Sequence, residues 1–186
     1  MEIKQKNWGK TILTAYTYLG RLCDSIDEII KESAVNSFYS HGYGWENNSV
    51  MGVSKKIIGL SERKIKYINL KVVTEKALKK MPKQLSKLII LKFIHQINTD
   101  EIICILNLSR RTLFRFISKA LTCFMNELSV LGYTSEKLEI EYFNDNFINS
   151  IYKLLSKETK TVIEQVDVLS KEKFTYSFLQ EIGAFV

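Results

Sequence analysis

From Asn98 to Leu121 the chain reads NTDEIICILNLSRRTLFRFISKAL. The spacing predicts a short helix, a sharp turn and a second helix. Ile102, Ile105 and Leu106 fall on one face of the first helix. Asn98 stands at its N-cap, and Glu101 three residues on completes a capping-box pattern with Asn in the Ser/Thr role. Asn107 falls where the chain must reverse, and asparagine tolerates the left-handed conformation better than any residue but glycine. Leu108 is expected to plug that turn, and Ser109 to cap the second helix.

Along the second helix Leu113, Ile117, Ala120, Leu121 and Phe124 form an apolar stripe suited to burial. The opposite face carries Arg110, Arg111, Arg115 and Lys119, with Thr112, Phe114 and Ser118 between them. This is the pattern of a DNA-reading helix-turn-helix, whose second helix lays its N-terminal part in the major groove. Arginine there pairs with guanine O6 and N7 or holds a phosphate, and threonine or phenylalanine meets a thymine methyl. Phosphate contacts position the helix, while base contacts specify sequence. The candidate DNA-binding residues are Ser109, Arg110, Arg111, Thr112, Phe114, Arg115, Ser118 and Lys119. For Phe114 a second use stays open, packing on a neighbouring segment.

Before this pair, Pro82 to His95 reads as a support helix, with Leu85, Leu88, Ile89, Leu91 and Phe93 available for a core. Proline is tolerated in a first helical turn, where its missing N–H is not needed. Gly132 is placed to end the last helix of the module. The stretch PKQLSKLIILKFIHQINTDEIICILNLSRRTLFRFISKAL resembles the C-terminal helix-turn-helix, region four, of bacterial RNA polymerase sigma factors. The resemblance covers about residues 80–128. It rests on Met81-Pro82 before the support helix and Leu91-Lys92-Phe93 inside it. Asp100-Glu101-Ile102, Leu108-Ser109-Arg110 and Ala120-Leu121 continue the match.

The resemblance implies a module that binds an upstream promoter element and touches RNA polymerase. It assigns DNA contact to Arg110, Arg111, Thr112, Phe114, Arg115 and Lys119. Three positions depart from the family's pattern: Ile103 replaces a small alanine, Asn107 a glycine and Phe116 a basic residue. Residues 1–80 contain Trp8, Tyr16, Tyr18, Phe38, Tyr39, Tyr43 and Trp45, which do not fit the family's promoter-opening region. A borrowed DNA-reading module is therefore expected, without a complete sigma factor around it.

Outside residues 81–133 the chain divides into an N-terminal helical segment, 1–80, and an acidic helical tail, 134–186. Thr11 to Tyr39 reads as one long helix, with Ile12, Ala15, Tyr16, Leu19, Leu22, Cys23, Ile26, Ile29 and Ile30 at helical spacing. It breaks at His41-Gly42-Tyr43-Gly44, where two glycines permit a turn. With Trp45 this stretch is either a stacking loop or a plain turn with anchoring aromatics. A short helix is expected over Val50 to Ile58, ending at Gly59. Ser61 then caps another, carrying Ile65, Ile68, Leu70, Val72, Val73, Ala77 and Leu78 up to Met81. In the tail, Phe143, Phe147, Ile151, Leu154 and Leu155 make one apolar stripe, and Phe174, Phe178, Leu179, Ile182 and Phe185 a second. Such stripes serve as core or as a surface for a second copy or another protein.

Residues 1–80 hold 14 Lys and Arg against 8 Asp and Glu, residues 81–133 hold 7 against 3, and the tail 6 against 9. The net charge of +7 is thus concentrated before the tail, which suits a polyanion partner or, equally, a plain solvated surface. No apolar run reaches the ~18 residues of a membrane span, and no signal core opens the chain, so a cytoplasmic protein is expected. Cys23, Cys104 and Cys123 read as small buried thiols of a reducing compartment. Neither His41 nor His95 joins them at metal-ligand spacing. Glu136, Glu139 and Glu141 lack a nucleophile or histidine beside them and read as a solvated helix face.

The expected fold is all-α. The expected function is sequence-specific DNA binding in bacterial or phage transcription, without enzyme activity, cofactor or metal. The partners expected are double-stranded DNA, then RNA polymerase and a second copy of the chain, with no membrane. The alternative is a helical interaction module that binds polymerase or itself through the tail's apolar stripe.

Overall fold

The computed structural model describes residues 3–40 and 50–156, with side-chain surroundings for 4–35 and 51–156. Leu, Ile and Lys dominate the sequence, and one proline interrupts it. The chain accordingly runs in helices: α1 Ile3–Ser40, α2 Val50–Lys80, α3 Lys83–Ile89, α4 Thr99–Leu106, α5 Arg110–Val130, α6 Ser135–Tyr142 and α7 Asn146–Ser156. A π-helical turn, Ile90–Ile94, follows α3. The fold is all-α, and no strand occurs among the described residues. No described helix is long and apolar enough to cross a membrane. The His41–Trp45 turn and the Phe174–Phe185 stripe lie outside the described residues.

Two sequence expectations fail on α2. Gly59 does not end a helix, and Ser61 does not cap one; Val50 to Lys80 is a single helix. Ser61 Oγ instead donates back to the carbonyl of Ile57, 2.8 Å away. A single mid-helix glycine weakens a helix by about 1 kcal/mol, too little to break one held by packing. Of the apolar residues that this helix carries, Ile65, Ile68 and Val72 are exposed.

The described residues form two compact units, 18–72 and 3–17 with 73–156. These do not follow the three segments read from the sequence, because the start of α1 belongs with the module and the tail. In the unit 18–72 the two long helices run antiparallel. Leu19, Leu22, Ile26 and Ile29 of α1 and Leu60, Tyr67 and Leu70 of α2 are buried, and Lys64 Nζ reaches Asp27 Oδ2 at 2.7 Å.

In the other unit, α5 supplies the centre of the core. Leu113, Ala120, Leu121, Phe124, Met125 and Leu128 are buried, as are Trp8, Ile12, Leu13 and Ala15 of α1. The first turns of α1 lie close on α5: a Cβ on Gly9 would stand 3.1 Å from Met125 Cγ. In the tail Phe147, Ile148 and Ile151 are buried, Leu154 and Leu155 half-buried, while Phe143 is exposed in the turn before α7. Asp145 makes that turn, its Oδ1 accepting from the N–H of Ile148 at 3.0 Å. The thiols differ from expectation: Cys23 is buried, Cys123 half-buried and Cys104 exposed, because Cys104 lies on the outer side of α4.

The turn before α5 is as the sequence implied. Asn107 is left-handed, at φ 48° and ψ 50°. The N–H of Leu108 donates to Ile103 O at 3.1 Å and that of Asn107 to Cys104 O at 3.4 Å, the paired bonds of a Schellman ending. Gly132, at φ 86°, ends α5 in the same way, with Tyr133 N–H donating to Leu128 O at 2.9 Å. A β-branched side chain is strained in this conformation by about 1–2 kcal/mol. Asn107→Val is therefore expected to lower stability by about that amount, and Asn107→Gly to hold or raise it. Urea unfolding midpoints check this; equal midpoints for the two variants would contradict a left-handed turn.

Candidate nucleic-acid interface

Three residues, Asn107-Leu108-Ser109, join α4 to α5, the connection length of a helix-turn-helix. Ser109 caps α5: its Oγ accepts from the N–H of Thr112 at 3.2 Å and lies 2.8 Å from Thr112 Oγ1. Thr112 is half-buried by this arrangement. Asn98 takes the extended backbone of an N-cap, but its side chain makes no cap hydrogen bond, so the expected capping box with Glu101 does not form. Leu108 is half-buried in the turn.

The support helix departs more from expectation. Pro82 is the N-cap of α3, at φ −53° and ψ 131°, and not its first helical residue. The helix then widens into the π turn, where His95 N–H donates to Ile90 O at 2.9 Å. Gln96 closes it in a left-handed conformation, φ 54°. Leu88 and Ile89 are buried, while Leu85, Leu91 and Phe93 are half-buried. The π turn brings Lys92 Nζ to 3.0 Å from Thr99 Oγ1 at the start of α4, and burial pushes the Lys92 ammonium below its ordinary pKa.

On α5 the expected stripe is buried except for Ile117, which is half-buried. Arg110, Arg111, Arg115 and Lys119 are exposed. Arg111, Arg115 and Lys119, four residues apart, lie along one face and span about 12 Å of helix axis. Arg110 sits at a different phase, in line with buried Leu121 and Leu128, and is exposed because it lies in the first turn. Phe114 shares that line and is 54% exposed, so it does not pack away on a neighbouring segment.

Ser118 is engaged. It is half-buried, and Lys6 Nζ donates to its Oγ at 2.8 Å. Lys6 is thereby brought from the start of α1 to the residue between Arg115 and Lys119. Sequence reasoning missed it, since Lys6 and Ser118 are 112 positions apart; the basic opening MEIKQKNWGK was its only trace. The neighbouring Lys4 is neutralised by Glu139 at 2.6 Å. Among the described residues no ion pair is made by Lys6, Arg110, Arg111, Arg115 or Lys119.

The electrostatics of α5 run against local preference. A helix N-terminus favours acids, each worth about 0.3–1 kcal/mol, and disfavours cations by a similar amount. α4 obeys, with Asp100 and Glu101 in its first turn, and α6 has Glu136. The first turn of α5 has no acid and carries Arg110 and Arg111 instead. Its positive helix end and two guanidiniums that make no ion pair among the described residues together suit a polyanion. Among the described residues no cluster of His, Cys, Asp and Glu suits a metal ion. Comparison with known protein families, characterised proteins and solved structures finds no match to this chain.

Proposed function

We propose that the chain is a DNA-binding protein acting in transcription, with the first three turns of α5 laid in the major groove of a specific duplex. The observation that carries this reading is the pair Arg110 and Arg111. They open a helix whose own field disfavours them, with no acid paired to either among the described residues. Arg111 and Arg115 point along the exposed face and read base edges. Arg110, offset in phase, and Lys119 and Lys6, further along, hold phosphates. Ser109 and Thr112 shape the helix start, and Ser118 anchors Lys6. Phe114 meets a thymine methyl. The likeness to sigma region four supports a promoter element as the target.

In-vitro selection from a random duplex pool at near-physiological salt tests this. An enriched motif a few base pairs long, guanine-containing, is expected. A pool that binds without enrichment refutes sequence reading.

One observation favours a second reading, a protein partner for the module. The end of α2, α3 and the π turn border a groove of about 460 Å³. Its lining includes Leu78, Met81, Ile90 and Leu91, with Lys79, Lys83 and Lys87. This groove suits an acidic, apolar segment of a protein partner, and no residue of α5 lines it. Within the described tail, the stripe from Phe143 to Leu155 is less suited to a partner, because Phe147 and Ile151 are already buried.

A further inference from the structure

Every seventh residue along the outer face of α2 is a large apolar side chain left in solvent. Met51 is 69% exposed, Ile58 57%, Ile65 57% and Val72 40%, and Ile68 joins them at 42%. The opposite face of the same helix buries Leu60, Tyr67 and Leu70. The outer row is therefore not consumed by the fold. It extends for three heptads, about 32 Å of helix. A soluble surface rarely keeps a continuous apolar row of that length unless it is an interface. A seven-residue period places these side chains at one of the two core positions of a coiled-coil heptad, where each packs into a hole on a facing helix.

The row supplies its own complement. With Met51, Ile58, Ile65 and Val72 at the a positions of a heptad, the d positions are Ser54, Ser61 and Ile68. We propose that α2 pairs with α2 of a second copy as an antiparallel, two-fold coiled coil. In antiparallel pairing an a residue faces a d residue. One symmetric register then sets Met51 against the partner's Ile68, Ile58 against the partner's Ser61, and Ile65 against the partner's Ser54. Ile58 and Ile65 thus meet small serines in the middle of the seam, while the larger Met51 and Ile68 pair with each other at its two ends. Ser61 enters it with its hydroxyl already satisfied by the Ile57 carbonyl.

Charge selects the antiparallel direction. In this register the e positions of the two helices meet, and Lys55 lies beside the partner's Glu62, twice by symmetry. Parallel pairing brings g against e instead. It would set Ile57 beside the partner's Glu62, Lys64 beside its Asn69 and Lys71 beside its Lys76. None of these is an opposite-sign pair, and the last is repulsive.

Sedimentation velocity of the full chain, with light scattering as a second measure, tests the proposal. The expected result is twice the chain mass for the unaltered protein and one chain mass for Ile58→Glu with Ile65→Glu. Both positions are exposed, so helical circular dichroism should be kept. Lys55→Glu alone and Glu62→Lys alone should each weaken the dimer, and the two combined should restore it. A chain that stays monomeric at its highest soluble concentration overturns the proposal and gives the stripe to a different protein. So does a dimer that survives Ile58→Glu with Ile65→Glu, since another surface then makes it. Failure of the charge exchange to restore association overturns the antiparallel register.

Discussion

Replacing Arg111 and Arg115 together by alanine is expected to weaken binding to the selected duplex by about 2–6 kcal/mol, two contacts of about 1–3 kcal/mol each. Binding to unrelated duplexes should fall much less, because only base contacts are lost selectively. Fold should be retained: both side chains are exposed and make no ion pair among the described residues. Stability should even rise slightly for Arg111→Ala, since a cation leaves the positive end of α5. Affinity and stability moving in opposite directions is the signature of a residue kept for a ligand. Lys6→Gln should behave otherwise. It should weaken all duplexes alike and reduce the slope of log affinity against log salt by about 0.9, as for one phosphate contact. Fluorescence anisotropy over a range of salt reads both effects. Arg21→Ala with Lys31→Ala, an equal change of two charges at exposed sites on α1, is the control. If it matches the double variant, the effect is bulk charge and not reading by α5.

How far the sequence carried the structure depended on the range of each interaction. The α4–turn–α5 unit was legible because its determinants are local. Asn107 tolerates the left-handed backbone, Ser109 caps, and the period of Leu113 to Phe124 sets the buried face. The all-α class followed from the same periodicity. What was illegible depended on distant or competing partners. Ile65, Ile68 and Val72 have helical spacing, yet spacing alone does not say which of two apolar faces the fold covers. Gly59 looked like an end because glycine is a weak helix former, but α2 gains more from packing than one residue loses. The π turn leaves no local mark, since it differs from α-helix by one residue of register. Lys6 beside Ser118 could not be found from either segment alone.

The largest loss of stability is expected at the start of α1. Trp8 is 2% exposed, and its ring stacks on Tyr152 of α7 at 4.5 Å between centroids and 27° between planes. Truncating a buried tryptophan costs about 3–5 kcal/mol through lost transfer energy and the cavity left behind. Trp8→Ala is expected to cost that much, read as a lowered urea midpoint. Trp8→Phe should cost far less. The indole Nε1 is buried without a hydrogen-bond partner among the described residues, a penalty of about 1–3 kcal/mol, and phenylalanine relieves it while keeping an aromatic face against Tyr152. If Trp8→Ala unfolds at the unaltered midpoint, α1 does not pack on this unit in solution. The same packing bears on the interface. Trp8 lies two residues after Lys6, and with Gly9 against Met125 it fixes the first turns of α1. Trp8→Ala, assayed well below its unfolding midpoint, should therefore flatten the salt dependence of DNA binding as Lys6→Gln does, although the lysine is still present. Trp8→Phe should leave that dependence intact. An unchanged salt slope in both variants would mean that Lys6 does not need the packing of α1 to reach the interface.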